Sequence, residues 1–231
     1  MALTANVLAA DIHERMVRDN RFGYSWAERY GARAENWTVD GVPITIKVGD
    51  YDCSSSTITA WSLALAAFGK PNVLSGATFT GNMRYVFCRT GLFEWRTDFG
   101  RAQRGDLLLN ESQHVAMVQG GATLSEFSGN EFGGAYGGVR GDQTGREAAV
   151  NPIRLYGWDG YLHYVGKLTL GDDDEVTEQD KKDIARLTAE EILNRSLAVS
   201  GEAKPVPVWQ LWSWTFRYAK DLAKLLNAKK G

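Results

Sequence analysis

The run Tyr51-Asp52-Cys53-Ser54-Ser55-Ser56 leads directly into residues 57–68, an apolar stretch with no proline or glycine. That pattern predicts a helix carrying a thiol in its first turn, closed at the far end by Gly69 and Pro71. The first turn of a helix presents unpaired N–H groups and a partial positive charge, and both favour a thiolate over a thiol. Asp52 suits the N-cap, where its carboxylate accepts a backbone N–H, although its own charge opposes a neighbouring thiolate. Cys53 therefore has two readings: a nucleophile, or one more small buried hydrophobe.

A cysteine nucleophile needs a base within hydrogen-bond reach and a third group to orient that base. Of the three histidines, His114 is the best placed, because it opens a strand after the polar turn 110–113. His13 on a helix and His163 in an apolar strand read as solvated or satisfied structural histidines. His114 to Gln119, two glycines, then Thr123 to Phe127 make the clearest hairpin in the chain. Alternation across a strand makes loop length decide which residue shares the face of His114. A three-residue loop pairs Gln119 with Thr123 and Ala116 with Glu126, placing Glu126 on that face. A loop of Gly120-Gly121 alone puts Ser125 and Phe127 there instead. An orienting acid is the better chemistry for a cysteine–histidine pair, which favours the first register.

Outward from these elements, residues 7–18 have helical spacing, with Val7, Leu8, Ile12, Met16 and Val17 inward. Residues 20–31 are a glycine-punctuated aromatic segment with loop character. Residues 36–48 alternate around Asp40-Gly41 as a hairpin that delivers the chain to Cys53. A short helix within 80–89, a loop at 100–104, strand at 105–109, a glycine-dense loop at 129–145 and a final strand at 161–165 complete the first 170 residues. The expected fold is α+β: an antiparallel sheet of about five or six strands with the Cys53 helix packed on it. Residues 171–176 read as an acidic linker, and 177–231 as a separate helical appendage. In its last helix Trp209, Trp212, Phe216, Ala219, Ala223 and Leu226 share an apolar face that needs a partner, pointing to self-association or targeting.

The chain as a whole, 44% hydrophobic and 23% charged, has ordinary globular composition. A net charge of -2 gives no basic field for nucleic acid. Cys53 and Cys88 are too few for a disulfide scaffold or a cysteine-based zinc site, and Cys88 reads as structural. No metal or cofactor is expected. The first residues lack the basic start and apolar run of a secretory signal, and no segment approaches the roughly 20 apolar residues of a membrane span. The expectation is a protein made in the cytoplasm that reaches any outside target by release.

Asp-Cys-Ser at a helix start, then Arg104-Gly105-Asp106-Leu107-Leu108, then His114-Val115-Ala116-Met117-Val118, resembles the papain-like cell-wall cysteine peptidases of the NlpC type. The likeness extends to phage peptidoglycan amidohydrolases, the endolysins. Their Gly-Tyr-Ser and aromatic-Gly steps look like Gly23-Tyr24-Ser25 and Tyr30-Gly31. Their Gly-Asp-Gln-Thr-Gly-x-Glu looks like Gly141-Asp142-Gln143-Thr144-Gly145-Arg146-Glu147. The resemblance implies a papain-like fold acting on bacterial peptidoglycan, with Cys53, His114 and Glu126 catalytic. The departure is Glu126, where many NlpC-type enzymes have histidine. Tyr51, Asp52 and Ser54 resemble positions that hold the substrate's amino end, with Tyr24 and Trp158 as further substrate contacts, and Trp26 and Trp37 are candidates to line the cleft. Stem-peptide endopeptidase and muramoyl-alanine amidase both remain open. The competing readings are a binding module of the same fold with an unused thiol, and a cysteine protease acting on proteins.

Overall fold

The structure is a computed structural model that describes residues 2–154 and 157–170. The expected acidic linker and the C-terminal helices lie outside the described residues. In order, the elements are β1 (Leu3–Thr4), α1 (Ala5–Val17), β2 (Arg33–Val39), β3 (Val42–Val48), α2 (Cys53–Ala67), α3 (Thr80–Cys88), β4 (Phe93–Arg96), β5 (Leu107–Asn110), β6 (His114–Gly120), β7 (Thr123–Phe127), β8 (Ala148–Pro152), β9 (Gly160–Tyr164) and β10 (Thr169–Leu170). The chain is α+β, built on an antiparallel six-stranded sheet in the order β4-β9-β5-β6-β7-β8. Two antiparallel pairs stand apart from it, β2 with β3 and β1 with β10. None of the helices among the described residues is long and apolar enough to cross a membrane.

Local chemistry accounts for the elements around Cys53. The β2–β3 turn falls on Asp40 and Gly41, both at positive φ (50° and 80°), as a hairpin turn matched to strand twist requires. At the start of α2, Asp52 is extended (φ -100°, ψ 177°). Its carboxylate accepts from Ser55 N–H at 2.6 Å, while Ser55 Oγ accepts from Asp52 N–H at 2.9 Å. This reciprocal capping satisfies two donors that would otherwise be orphaned in a buried helix end. At the far end Phe68 leaves the helix and Gly69 follows at φ 74°.

Strand alternation divides the sheet's side chains. Leu107, Leu109, Val115, Met117, Phe127 and Leu162 join Leu8, Ile12, Met16, Trp61 and Leu65 of α1 and α2 in the main core. Leu108, Ala116, Val118, Leu124 and Tyr161 form a smaller cluster covered by Ile153 and Trp158. His114 is in step with Ala116 and Val118, and Glu126 with Leu124. Both thus belong to the face turned from α1, whereas Ser125 faces α1 and meets His13.

Several expectations change. Residues 93–96 and 148–152 are strands that local pattern did not reveal, and the chain forms β10 after its expected last strand. In the β6–β7 hairpin Met117 pairs with Ser125 and Val118 with Leu124, but Thr123 pairs with Gly120 rather than Gln119. Gln119 occupies a bulge. Its amide nitrogen bonds Ala10 O at 3.1 Å and Ser125 Oγ at 2.6 Å. The extra residue in β6 shortens the loop while keeping Glu126 on the face of His114.

Candidate active site

Cys53 is the first residue of α2 and is 7% exposed. The N–H of Val115, next in chain to His114, donates to its sulfur, so the nucleophile meets β6 where that strand begins. Burial, and then the Asp52 charge, push the thiol up to about 11, against the Val115 and Ser54 N–H groups and the Arg29 charge. A helix start alone does not make a thiolate here, because desolvation outweighs it.

His114 Nε2 lies 2.7 Å from Glu126 Oε2. A carboxylate only accepts, so Nε2 carries the proton and the lone pair of the neutral ring is on Nδ1. The imidazole stacks on Trp158, with centroids 5.7 Å apart and planes at 23°. Trp158 is anchored in turn, its Nε1 donating to Arg154 O at 2.6 Å. Glu126 is 3% exposed and fully occupied. Arg154 donates to Oε1 at 2.9 Å and to Oε2 at 2.7 Å, and Asn151 Nδ2 reaches Oε1 at 3.0 Å. Burial by itself would raise its pKa, but the bonds from Arg154, His114 and Asn151 hold it well below the usual carboxylate range.

Tyr24 is half-buried and pairs in a bridge with Tyr51, and its phenol is raised by burial and then by the Cys53 and Asp52 charges. The segment that carries it is clamped. Glu147 accepts Tyr24 N–H at 3.0 Å and Gln143 N–H at 3.0 Å; Asp50 accepts Gly141 N–H at 2.8 Å. Asp142 gathers Thr144 N–H at 2.9 Å and Gly145 N–H at 2.6 Å. Gly23 lies against Gly141, where an added Cβ would come within 2.4 Å of backbone carbon, so this crossing requires glycine. The two glycine-rich motifs are thus one structural unit that lays Tyr24 beside Tyr51 and α2.

Three of the expected substrate contacts, Tyr51, Asp52 and Ser54, are buried in the structure. Tyr51 is 1% exposed, packs between Phe22 and Phe127, and gives its hydroxyl to Lys47 O at 2.7 Å. Asp52 and Ser54 are 3% and 2% exposed. Asp52 Oδ1 accepts from Ser54 Oγ at 3.0 Å, its Oδ2 lies 3.0 Å from Arg29 Nε, and Arg29 Nη2 donates to Ser54 Oγ at 2.9 Å. Their polar atoms bond to the helix cap and to Arg29. Trp37 is core, packed edge-on against Phe22 with Arg15 over its ring. Trp26 and Trp158 remain accessible, Trp26 half-exposed against Tyr136. His13 is fully buried between Ser125 Oγ (2.6 Å) and Ser56 Oγ (3.1 Å), and His163 bonds Asp106 at 2.9 Å, so both are satisfied structural residues. Cys88 is a half-buried free thiol at the end of α3. Sequence reading missed Arg29, Asn151 and Arg154, which lie far along the chain from the groups they bind.

The family model of the endolysin-like domain matches residues 2–123, a span that includes Cys53 and His114 and stops short of Glu126. The chain belongs to the endolysin-like domain family. That is a cell-wall hydrolase family, and the NlpC-type likeness read from the motifs accords with it. No curated protein matches the chain. Solved structures similar to this endolysin-like chain include the peptidoglycan hydrolase RipB of Mycobacterium tuberculosis, at 17% identity, covering 71% of this chain and 68% of that one, with a TM-score of 0.40. The P60 domain of the Mycobacterium avium subspecies paratuberculosis antigen MAP1204 is 22% identical over 70% of this chain and 98% of its own, at 0.39. RipD of M. tuberculosis, described as a non-catalytic NlpC/p60 domain protein adapted to peptidoglycan binding, is 21% identical over 68% and 98%, at 0.34.

Proposed function

We propose that this endolysin-like domain hydrolyses an amide bond in the stem peptide of peptidoglycan by cysteine nucleophilic catalysis, as a phage-type lytic enzyme does. The observation that carries the reading is the pairing of His114 Nε2 with the buried, ionised Glu126 at 2.7 Å, next in chain to the residue whose N–H meets the Cys53 thiol. In this mechanism Nδ1 of His114 takes the thiol proton as sulfur attacks the amide carbon. A neutral resting thiol, buried as it is, makes proton removal part of the attack. The Cys53 N–H, at a helix start, stabilises the developing oxyanion, with the protonated Tyr24 phenol as a second donor. Imidazolium returns its proton to the leaving amine, and water then cleaves the thioester. Trp158, stacked on His114, forms the wall of the cleft on that side.

Purified protein incubated with isolated bacterial walls tests this. Soluble muropeptides should appear, and Cys53→Ala should stop their release. New N-terminal alanine identifies an amidase, and new N-terminal diamino acid or D-glutamate identifies an endopeptidase. Binding to walls without any release of peptide would overturn the proposal in favour of a binding module.

A further inference from the structure

Glu126 does not serve His114 alone. Arg154 takes both of its oxygens, at 2.9 and 2.7 Å, and shares Oε2 with the imidazole. The same residue is built into the wall around His114: its guanidinium lies 5.2 Å over the Trp158 ring, and its carbonyl accepts the Trp158 indole N–H. The guanidinium therefore sets the position of the orienting acid and, through Trp158, of the ring stacked on the base.

We propose that Arg154 is a positioning residue that acts on the Cys53–His114 pair through Glu126: by holding both carboxylate oxygens it keeps Glu126 on Nε2 of His114, so that the ring's lone pair stays on Nδ1. This rests on the reading of Cys53, His114 and Glu126 as the catalytic set. Among the described residues, charged and titratable groups lie on both sides of the pair. Glu126 and Arg154 face His114; Asp52, Arg29 and Tyr24 face Cys53; and Asp159 accepts Glu111 N–H in the turn before β6. Of these, Arg154 is the cation bonded to the acid that holds the imidazole.

The test follows the ring nitrogens of His114 by nitrogen NMR at one fixed pH in the full chain, for wild type, Arg154→Met, Arg154→Gln and Arg154→Lys. Wild type should hold one tautomer, with the proton on Nε2; both neutral variants should show the two tautomers mixed and should hydrolyse isolated walls more slowly. Arg154→Lys, which keeps the charge but not the two-point contact, should fall between them. A tautomer unchanged in the neutral variants overturns the proposal, whatever happens to activity. So does failure of both to fold, which would make Arg154 a structural anchor. The NMR readout needs no substrate, so a wild-type protein inert on cell walls would defeat the proposed activity and leave this test standing.

Discussion

His13 gives the structure a measurable acid sensitivity. It is fully buried, bonded to Ser125 and Ser56, and burial lowers its pKa from the ordinary 6.5 to about 3. Above pH 6.5 the ring is neutral folded or unfolded, and proton binding contributes nothing to stability. Below 6.5 the unfolded chain takes up a proton that the folded chain refuses, so stability falls with pH until the folded pKa is reached. The slope is about 1.4 kcal/mol per pH unit, and lowering the pH from 7.5 to 5 costs about 2 kcal/mol through this residue. Glu126, whose pKa is depressed, loses stability only below the usual carboxylate range. Asp50, Asp106 and Glu147, raised chiefly by burial, act with the opposite sign. The comparison with His13→Gln cancels all of these, because they are common to both proteins. Urea unfolding of both proteins at pH 7.5, 6.0 and 5.0 reads the difference, wild type losing about 2 kcal/mol more than the variant between the extremes. Parallel stability curves for the two proteins would refute the assignment of His13 as a buried neutral residue. The link to the site is short: Ser125 precedes Glu126, and Ser56 Oγ donates to Cys53 O at 3.0 Å.

The remaining predictions concern the site and its supports. Cys53→Ala should abolish muropeptide release and leave the thermal midpoint within a few degrees of wild type. Iodoacetamide should inactivate the wild type faster as pH rises towards the raised thiol pKa of about 11, and chelators should not, as activity assays with each reagent would show. Glu126→Gln keeps the shape but removes the charge that fixes the imidazole, and should lower the rate of wall hydrolysis by on the order of 100-fold or more. Asp142→Ala strips partners from Thr144, Gly145 and neighbouring N–H groups, costing about 1–3 kcal/mol in urea unfolding and lowering activity, since it loosens the turn that presents Glu147 to Tyr24.

The sequence by itself determined what is local. Asp52 and Ser55 cap a helix wherever it packs, Asp40-Gly41 turns a hairpin by its own backbone preference, and alternation from His114 to Phe127 marks two paired strands. Those signals place the thiol at a helix start and leave two registers for the residue beside His114, and the order of motifs indicates the family. Tertiary structure decided what depends on packing. Tyr51 sits two residues before the thiol, and the rings of Phe22 and Phe127 pack it inward. Asp52 and Ser54 looked free to bind substrate until Arg29, from a loop far back in the chain, came to lie against them. The bulge at Gln119 follows from its bonds to α1 and Ser125, which no pattern within the hairpin encodes. Arg154 and Asn151 reach Glu126 from 28 and 25 residues away, through a sheet edge and a loop. A hydrogen bond depends on where two chain segments stop in space, and spacing along the sequence carries that information only within a helix turn or a hairpin.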